Sequence, residues 1–264
     1  MDLQLLGKHA LVTGSTAGIG FATAQRLAAE GVAVTLNGRS TAGVDAAVQR
    51  LRALLPGARV DGIAADLAGP DGAALLAERC EHVDILVNNL GIYEPKPFQE
   101  ISDADWLRLF DVNVMSGVRL SRVAFPAMKR RGFGRIIFVS SESGLNPPPE
   151  MIHYGMTKAA QLSIARALAE ASKGSAVTVN AVLPGPTRTE GSRAFTELLA
   201  REQGIDEAQV ERNYFAEERP ASLLGRFIDP AEVAATITYL CSPLAAATNG
   251  SSVRVDGGIV RSIV

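Results

Sequence analysis

Two hydrophobic rhythms alternate along this chain. Short apolar runs that stop at glycine or at a polar pair read as strands: HALVTG (9–14), VAVTLNG (32–38), RVDGIAADL (59–67), HVDILVNN (82–89), GRIIFVSS (134–141), AVTVNAVLPG (176–185) and GSSVRVDGG (250–258). Most are apolar throughout rather than alternating, as expected of strands covered on both faces. Between them lie stretches with helical spacing, at 18–31, 40–57, 69–80, 102–132, from about Tyr154 to Ala171, and at 229–243. Ser102 with Asp105 resembles a capping box. Asp229, Pro230 and Glu232 supply an N-cap, a first-turn proline and an acid at N3. No linker, repeat or low-complexity tract interrupts the alternation. It predicts one α/β domain over 1–264, a doubly wound parallel sheet of about seven strands with helices on both faces. The exception is 186–228, charged and helical only in patches, which predicts a functional insertion, a lid over a substrate.

Composition narrows this little. The 264 residues are 47% hydrophobic and 20% charged with net charge -2, enough for a large core and no electrostatic case for nucleic acid or an anionic membrane. No apolar run is long enough to span a bilayer, and the N-terminus lacks a signal-peptide pattern. Cys80 and Cys241 form no disulfide framework and read as reduced, packed thiols of a cytoplasmic protein. No metal-ligand set is read.

The chemistry starts where the first strand runs into the first helix, at TGSTAGIG. Gly14 permits the turn off the strand, Gly18 leaves room for a pyrophosphate, and Gly20 allows close packing of the helix. The helix start then offers N–H groups and positive potential to phosphates, so Gly14, Ser15, Thr16, Gly18, Ile19 and Gly20 are candidate nucleotide contacts. Later strand ends should face the same ligand. They supply Asp66, a candidate acceptor for an adenine amino group, with Leu67, and then Asn88, Asn89 and Gly91. The plainer alternatives are a cap for Asp66 and a turn for the asparagines. Farther on, Tyr154 and Lys158 stand one helical turn apart. A phenol titrates near pH 10, and an ammonium beside it would bring it toward neutrality, where acid–base work is efficient. Ser140, Ser141 and Ser143 offer a hydroxyl for a substrate oxygen.

Taken in order, T-G-x-x-x-G-x-G, N-N-x-G, an Asn in the next helix, Ser, Y-x-x-x-K and P-G resemble the short-chain dehydrogenase/reductase family over nearly the whole chain. The resemblance implies an NAD(P)-dependent oxidoreductase that interconverts a ketone or aldehyde and an alcohol. It places the catalytic tetrad on Asn113, Ser141, Tyr154 and Lys158. Tyr154 would exchange the proton and Ser141 would polarise the substrate oxygen. Lys158 would lower the tyrosine pKa and bind the nicotinamide ribose, and Asn113 would hold a water linking Lys158 to solvent. Pro184, Gly185, Thr187 and Thr189, in PGPTRT, would hold the nicotinamide carboxamide. NNLG departs from the usual N-N-A-G by Leu90, a larger residue near the cofactor. A non-catalytic redox sensor is the competing reading, but it would be expected to lose Tyr154 or Lys158.

Cofactor choice is made at the second strand's end. Asn37 and Gly38 stand where NAD-preferring sites carry an acid, and Arg39 follows with a guanidinium suited to a phosphate, so NADP(H) is expected over NAD(H). Ser40 and Thr41 add hydroxyls; Ala17 stands where many NADP-dependent relatives have a second base. The residues do not name the small carbonyl or alcohol substrate; the resemblance implies a 3-oxoacyl reductase as one possibility and a sugar or polyol dehydrogenase as another. Loop 142–152 and segment 186–228 should line its pocket. Arg188, Arg193, Arg219 and Arg226 could each meet a carboxylate, although a solvated charged surface is the plainer reading. His153 reads as a spectator and Trp106 as core or interface. The apolar faces of 156–171 and the C-terminal GIVRSIV predict a homo-oligomer, a tetramer.

Overall fold

The computed structural model describes residues 1–263; Val264, the end of GIVRSIV, lies outside the described residues. Seven parallel strands form one sheet in the order β3-β2-β1-β4-β5-β6-β7. They are β1 (His9–Val12), β2 (Ala33–Gly38), β3 (Val60–Ala64), β4 (Ile85–Asn88), β5 (Gly134–Val139), β6 (Val177–Pro184) and β7 (Ser252–Val255). The neighbouring strands β4, β5 and β6 are buried at every position, which explains their largely apolar character.

Helices α1 (Gly18–Ala29), α2 (Thr41–Leu54) and α3 (Pro70–Cys80) follow the first three strands. The stretch 102–132, which the sequence predicts as one helix, is interrupted. Helix α4 (Asp103–Phe110) passes through a π turn, Asp111–Met115, into α5 (Ser116–Arg131). The wider turn re-aims residues along the helix, and Asn113 lies inside it. Helix α6 (Ile152–Ala171) starts two residues before the expected Tyr154. Helices α7 (Glu190–Gln203) and α8 (Glu207–Glu217) form the insertion, and α9 (Pro230–Cys241) carries the expected Asp229–Glu232 capping box.

One core, from Leu27, Leu36, Leu51 and Ile237 among others, lies between the sheet and α1, α2 and α9. A second, from Leu76, Leu120, Phe138 and Val179 among others, lies on the opposite face. Cys80 and Cys241 are free and buried, and burial pushes both thiols up to about 12, so they pack as inert apolar groups. Among the described residues no helix is long and apolar enough to cross a membrane.

Candidate active site

All the sequence candidates lie toward the carboxyl end of the sheet, where a parallel sheet leaves its crevice. The glycine loop is held by buried side chains. The Ser15 hydroxyl donates to Val12 O (2.7 Å) and accepts from Asn37 N (3.0 Å). Asn37 in turn ties the loop to the end of β3 through Ile63 O and Ala65 O. Asn89 donates to Thr13 O and Gly14 O, both at 2.9 Å, so β4 clamps the loop from the other side. These side chains are therefore committed to the scaffold. A methyl on Gly20 would lie 2.5 Å from Asn89 Nδ2 and 2.6 Å from Gly14 O, so this glycine serves the clamp rather than helix–sheet packing. Gly14 and Gly18 have φ of 58° and 56°, a region that favours glycine. Leu90 packs its side chain over Gly14, 3.3 Å from where a Cβ would stand.

What the loop leaves open is backbone. The first turn of α1 has no side-chain cap and no acid. An uncapped helix start beside a bare Gly18 fits a pyrophosphate. Thr189 closes the opposite wall, with its methyl 3.2 Å from a Cβ built on Gly18, and it caps α7 in a box with Ser192. Thr187 donates to Gly185 O (2.9 Å), and Gly185, at the end of β6 beyond Pro184, packs on the Asp256 backbone. Asp66 is exposed and accepts from Ala68 N (3.1 Å) in a local turn, while the Leu67 side chain is in the core. Asn88 points inward to Ser121 (3.2 Å), with its Oδ1 buried and without a partner. Gly91 differs: a Cβ there would lie 3.3 Å from Lys158 Nζ and 3.7 Å from Asn113 Oδ1, so the chain passes these two tetrad candidates at a residue with no side chain.

At the adenosine end Arg39 is exposed and has no hydrogen bond or ion pair among the described residues. Ser40 caps α2 through Gly43 N. Arg50 was missed by the sequence reasoning. From α2 it donates to Thr16 O (3.1 Å) and lays its guanidinium on Phe21, 3.6 Å from the ring centroid, bringing a second cation to the loop where Ala17 supplies none.

The structure brings the four tetrad candidates together. Asn113 accepts from Ile92 N (2.8 Å) and donates to Ile92 O (2.9 Å) and Thr157 Oγ1 (3.0 Å). Lys158 is buried. Its Nζ donates to Val139 O (3.0 Å) and Gln161 Oε1 (3.3 Å) and stands 5.5 Å from the Tyr154 ring centroid. Gln161 Nε2 donates to Asn113 O (2.6 Å). One amide thus spans the gap between Lys158 and Asn113 where the sequence resemblance implies a water. Only its position, three residues past the lysine on the buried face of α6, could have flagged it. The Ser141 hydroxyl donates to Glu142 Oε2 (2.7 Å) and accepts from Ser143 N (3.1 Å), while Ser140 is spent on Lys158 O. Tyr93 meets Tyr154 edge-on, with ring centroids 6.1 Å apart.

The electrostatics run against the expectation that Lys158 pulls the phenol toward neutrality. Burial pushes the Tyr154 phenol above its ordinary value of about 10, opposed by a hydrogen bond with Ser141. Burial also brings Lys158 down to about 7, although the two carbonyl-type oxygens at its Nζ favour the ammonium. Desolvation outweighs the helical spacing because both groups sit deep in the cleft. His153 is fully buried, neither ring nitrogen has a partner among the described residues, and burial lowers its pKa. It packs edge-on against Trp106 as a neutral ring.

The insertion roofs the cleft. Its two ends zip together, Arg188 N to Ile228 O (2.8 Å) and Ile228 N to Pro186 O (2.9 Å). Of the four arginines considered for a carboxylate, Arg188 pairs with Glu211, Arg219 with Glu150 and Arg226 with Glu232. Arg193 is exposed.

The relatives agree with this geometry. An uncharacterised oxidoreductase of Bacillus subtilis, YvaG, is 46% identical over 263 residues, covering all of both chains. A 3-oxoacyl-[acyl-carrier-protein] reductase of Aquifex aeolicus is 32% identical, covering 98% of this chain and all of the relative. The L-sorbose reductase of Gluconobacter frateurii, solved with NADPH and L-sorbose, superposes with a TM-score of 0.94 at 32% identity over the whole of both chains. A family model described as short chain dehydrogenase matches residues 8–199. A glycine cradle, a Tyr–Lys pair at its mouth and these relatives lead to one conclusion: the chain belongs to the short-chain dehydrogenase family and is an NAD(P)-dependent oxidoreductase.

Proposed function

We propose that the chain is an NADP(H)-preferring carbonyl reductase and alcohol dehydrogenase with Tyr154 as its proton donor and acceptor. The observation that carries this is the convergence of Asn113, Ser141, Tyr154 and Lys158 beside Gly91, where the chain passes Lys158 Nζ without a side chain. A nicotinamide dinucleotide bound along the glycine loop supplies or accepts the hydride. The first-turn backbone of α1 and Thr16 would hold its phosphates, and Lys158 its nicotinamide ribose. Burial keeps the Tyr154 phenol protonated, poised to give its proton to the oxygen of a carbonyl as it becomes an alcohol. The phenolate left behind is stabilised by the Lys158 ammonium, whose position the Val139 and Gln161 oxygens fix. In the alcohol-to-ketone direction the same proton returns to Tyr154.

The NADP(H) preference rests on the unpaired Arg39, on Arg50 beside Thr16, and on Asn37 and Gly38 where an acid would repel a 2′-phosphate. Segment 186–228 acts as the lid, the assembly is a homotetramer and the setting is the cytoplasm. The half-buried Leu162, Ile164 and Leu168 of α6 support the assembly. Light scattering at micromolar concentration checks it, and a monomer refutes it. The similar proteins include both an L-sorbose reductase and a 3-oxoacyl-[acyl-carrier-protein] reductase, so either a sugar-like or an acyl substrate is compatible with the family.

The test is NADPH and NADH oxidation by purified protein with a panel of ketones. Turnover with NADPH, lost by about 10³-fold or more in Tyr154→Phe at unchanged fold, is expected. Arg39→Leu should cut kcat/KM for NADPH by about 10-fold and leave NADH unchanged. Gly38 is left alone because a side chain there would meet the Thr16 methyl at 2.6 Å. A Tyr154→Phe enzyme of wild-type rate, or a wild type preferring NADH, overturns the corresponding part.

A further inference from the structure

Glu142 is a buried acid that the proton transfer does not use. It follows Ser141 directly and is only 7% exposed. Its Oε2 accepts from both Ser141 Oγ (2.7 Å) and Ser143 Oγ (2.5 Å). An ionised carboxylate only accepts, so the two serines are the donors and the carboxylate stays anchored. Its second oxygen, Oε1, has no hydrogen-bond partner among the described residues and is not sealed from the cleft. No cation pairs with it, because the nearby arginine of the lid, Arg219, is bonded to Glu150. The spare lone pairs of that oxygen are open to a donor in the cleft.

The position of the carboxylate narrows the donor. Its bond to Ser141 sets the carboxylate beside the reacting site, and Tyr154, Tyr214 and Arg219 all lie within reach of its charge. A substrate oxygen that reaches Ser141 and Tyr154 brings the substituent on the neighbouring carbon within the same reach of Glu142. A carboxylate there would be repelled. A cation would feel Arg219 at the same end of the cleft. An apolar carbon would leave Oε1 bare. A neutral hydroxyl satisfies it.

We propose that Glu142 is a specificity-determining residue that accepts a hydrogen bond from a hydroxyl on the carbon next to the reacting carbonyl. The preferred substrates are then hydroxy ketones and the polyols they form, rather than 3-oxoacyl chains. The inference rests on the reading of Ser141 and Tyr154 as the reacting site.

The test compares hydroxyacetone with butanone, which replaces the hydroxyl by a methyl of similar size, using NADPH and purified enzyme. Both ketones share whatever Glu142 does to Tyr154 or Ser141, and their intrinsic reactivities are the same in both enzymes, so the change in the ratio of their kcat/KM values between wild type and a Glu142 variant isolates the hydroxyl contact. A charged acceptor should favour hydroxyacetone by about 10-fold or more. Glu142→Gln keeps the shape and leaves an oxygen for the two serines, but turns an NH2 toward the cleft. The substrate hydroxyl can still accept from that NH2, but the charge-assisted bond is lost, so the ratio should fall by about 3-fold or more, with the melting temperature confirming the fold. A wild-type ratio near one, a ratio unchanged in Glu142→Gln, or reduction of other carbonyl compounds but neither of these ketones overturns the assignment. Failure to reduce any carbonyl compound instead strikes the oxidoreductase reading and takes this inference with it.

Discussion

The floor and the roof of the cleft are built in opposite ways. The floor is tied by buried amides: Asn37 and Asn89 hold the glycine loop, Asn113 binds the β4 loop to α6, and Gln161 joins Asn113 to Lys158. The roof, α7 and α8, buries only Thr196, Val210 and Phe215. It is held through its base and by the ion pairs of Arg188 and Arg219. Partly exposed ion pairs contribute little, whereas a buried amide bonded at both ends is expensive to disturb. The contrast predicts a rigid floor and a roof that opens more readily.

The largest effect should come from Gln161→Leu. It removes an oxygen from Lys158 and leaves Asn113 O unpaired, and we expect kcat to fall by about 100-fold with a smaller change in KM. The pH profile separates this from simple destabilisation. The Gln161 oxygen favours the ammonium, so its loss lowers the Lys158 pKa further below about 7. The fall of kcat/KM with rising pH, as the ammonium is lost, should therefore move to lower pH. An unmoved limb would mean that Gln161 only packs. A linked consequence concerns stability. Because the folded pKa of Lys158 lies below its value of 10.5 when unfolded, the unfolded chain binds more protons between about pH 7 and 10.5. Stability contributed by this group rises across that window, and Lys158→Met should abolish the rise in denaturant titrations.

Asn89→Ala comes next. It strands the carbonyls of Thr13 and Gly14, and about 1–3 kcal/mol of stability should be lost in urea unfolding, together with weaker cofactor binding. Full retention of both would show that the loop holds itself. The smallest effect is on the roof. Arg219→Ala should cost under about 1 kcal/mol, yet speed hydrogen exchange in 190–217 without ligand. Exchange that cofactor and substrate fail to slow would make the insertion a fixed appendage instead of a lid.

Much of this molecule was legible in its residues. Apolar runs and helical spacings determine the strands and helices because burial on two faces or on one leaves a periodic trace in any sequence. The glycine triplet is readable because the backbone of Gly14 and Gly18 favours glycine, and Tyr154 and Lys158 because one helical turn separates them. The π turn around Asn113 was invisible, since it shows only as a shift of phase inside a stretch that is helical on both sides. So was the employment of the polar residues. Ser15, Asn37, Asn88 and Asn89 look like ligand contacts in a list of types but are spent on the protein, while Gln161, Glu142 and Arg50 look ordinary and stand at the site. Tertiary structure alone decided these, and it decided the sign of the Tyr154 and Lys158 shifts. Desolvation and hydrogen-bond partnership depend on what surrounds a group in space, and residues 20 or 100 positions away supply that surrounding.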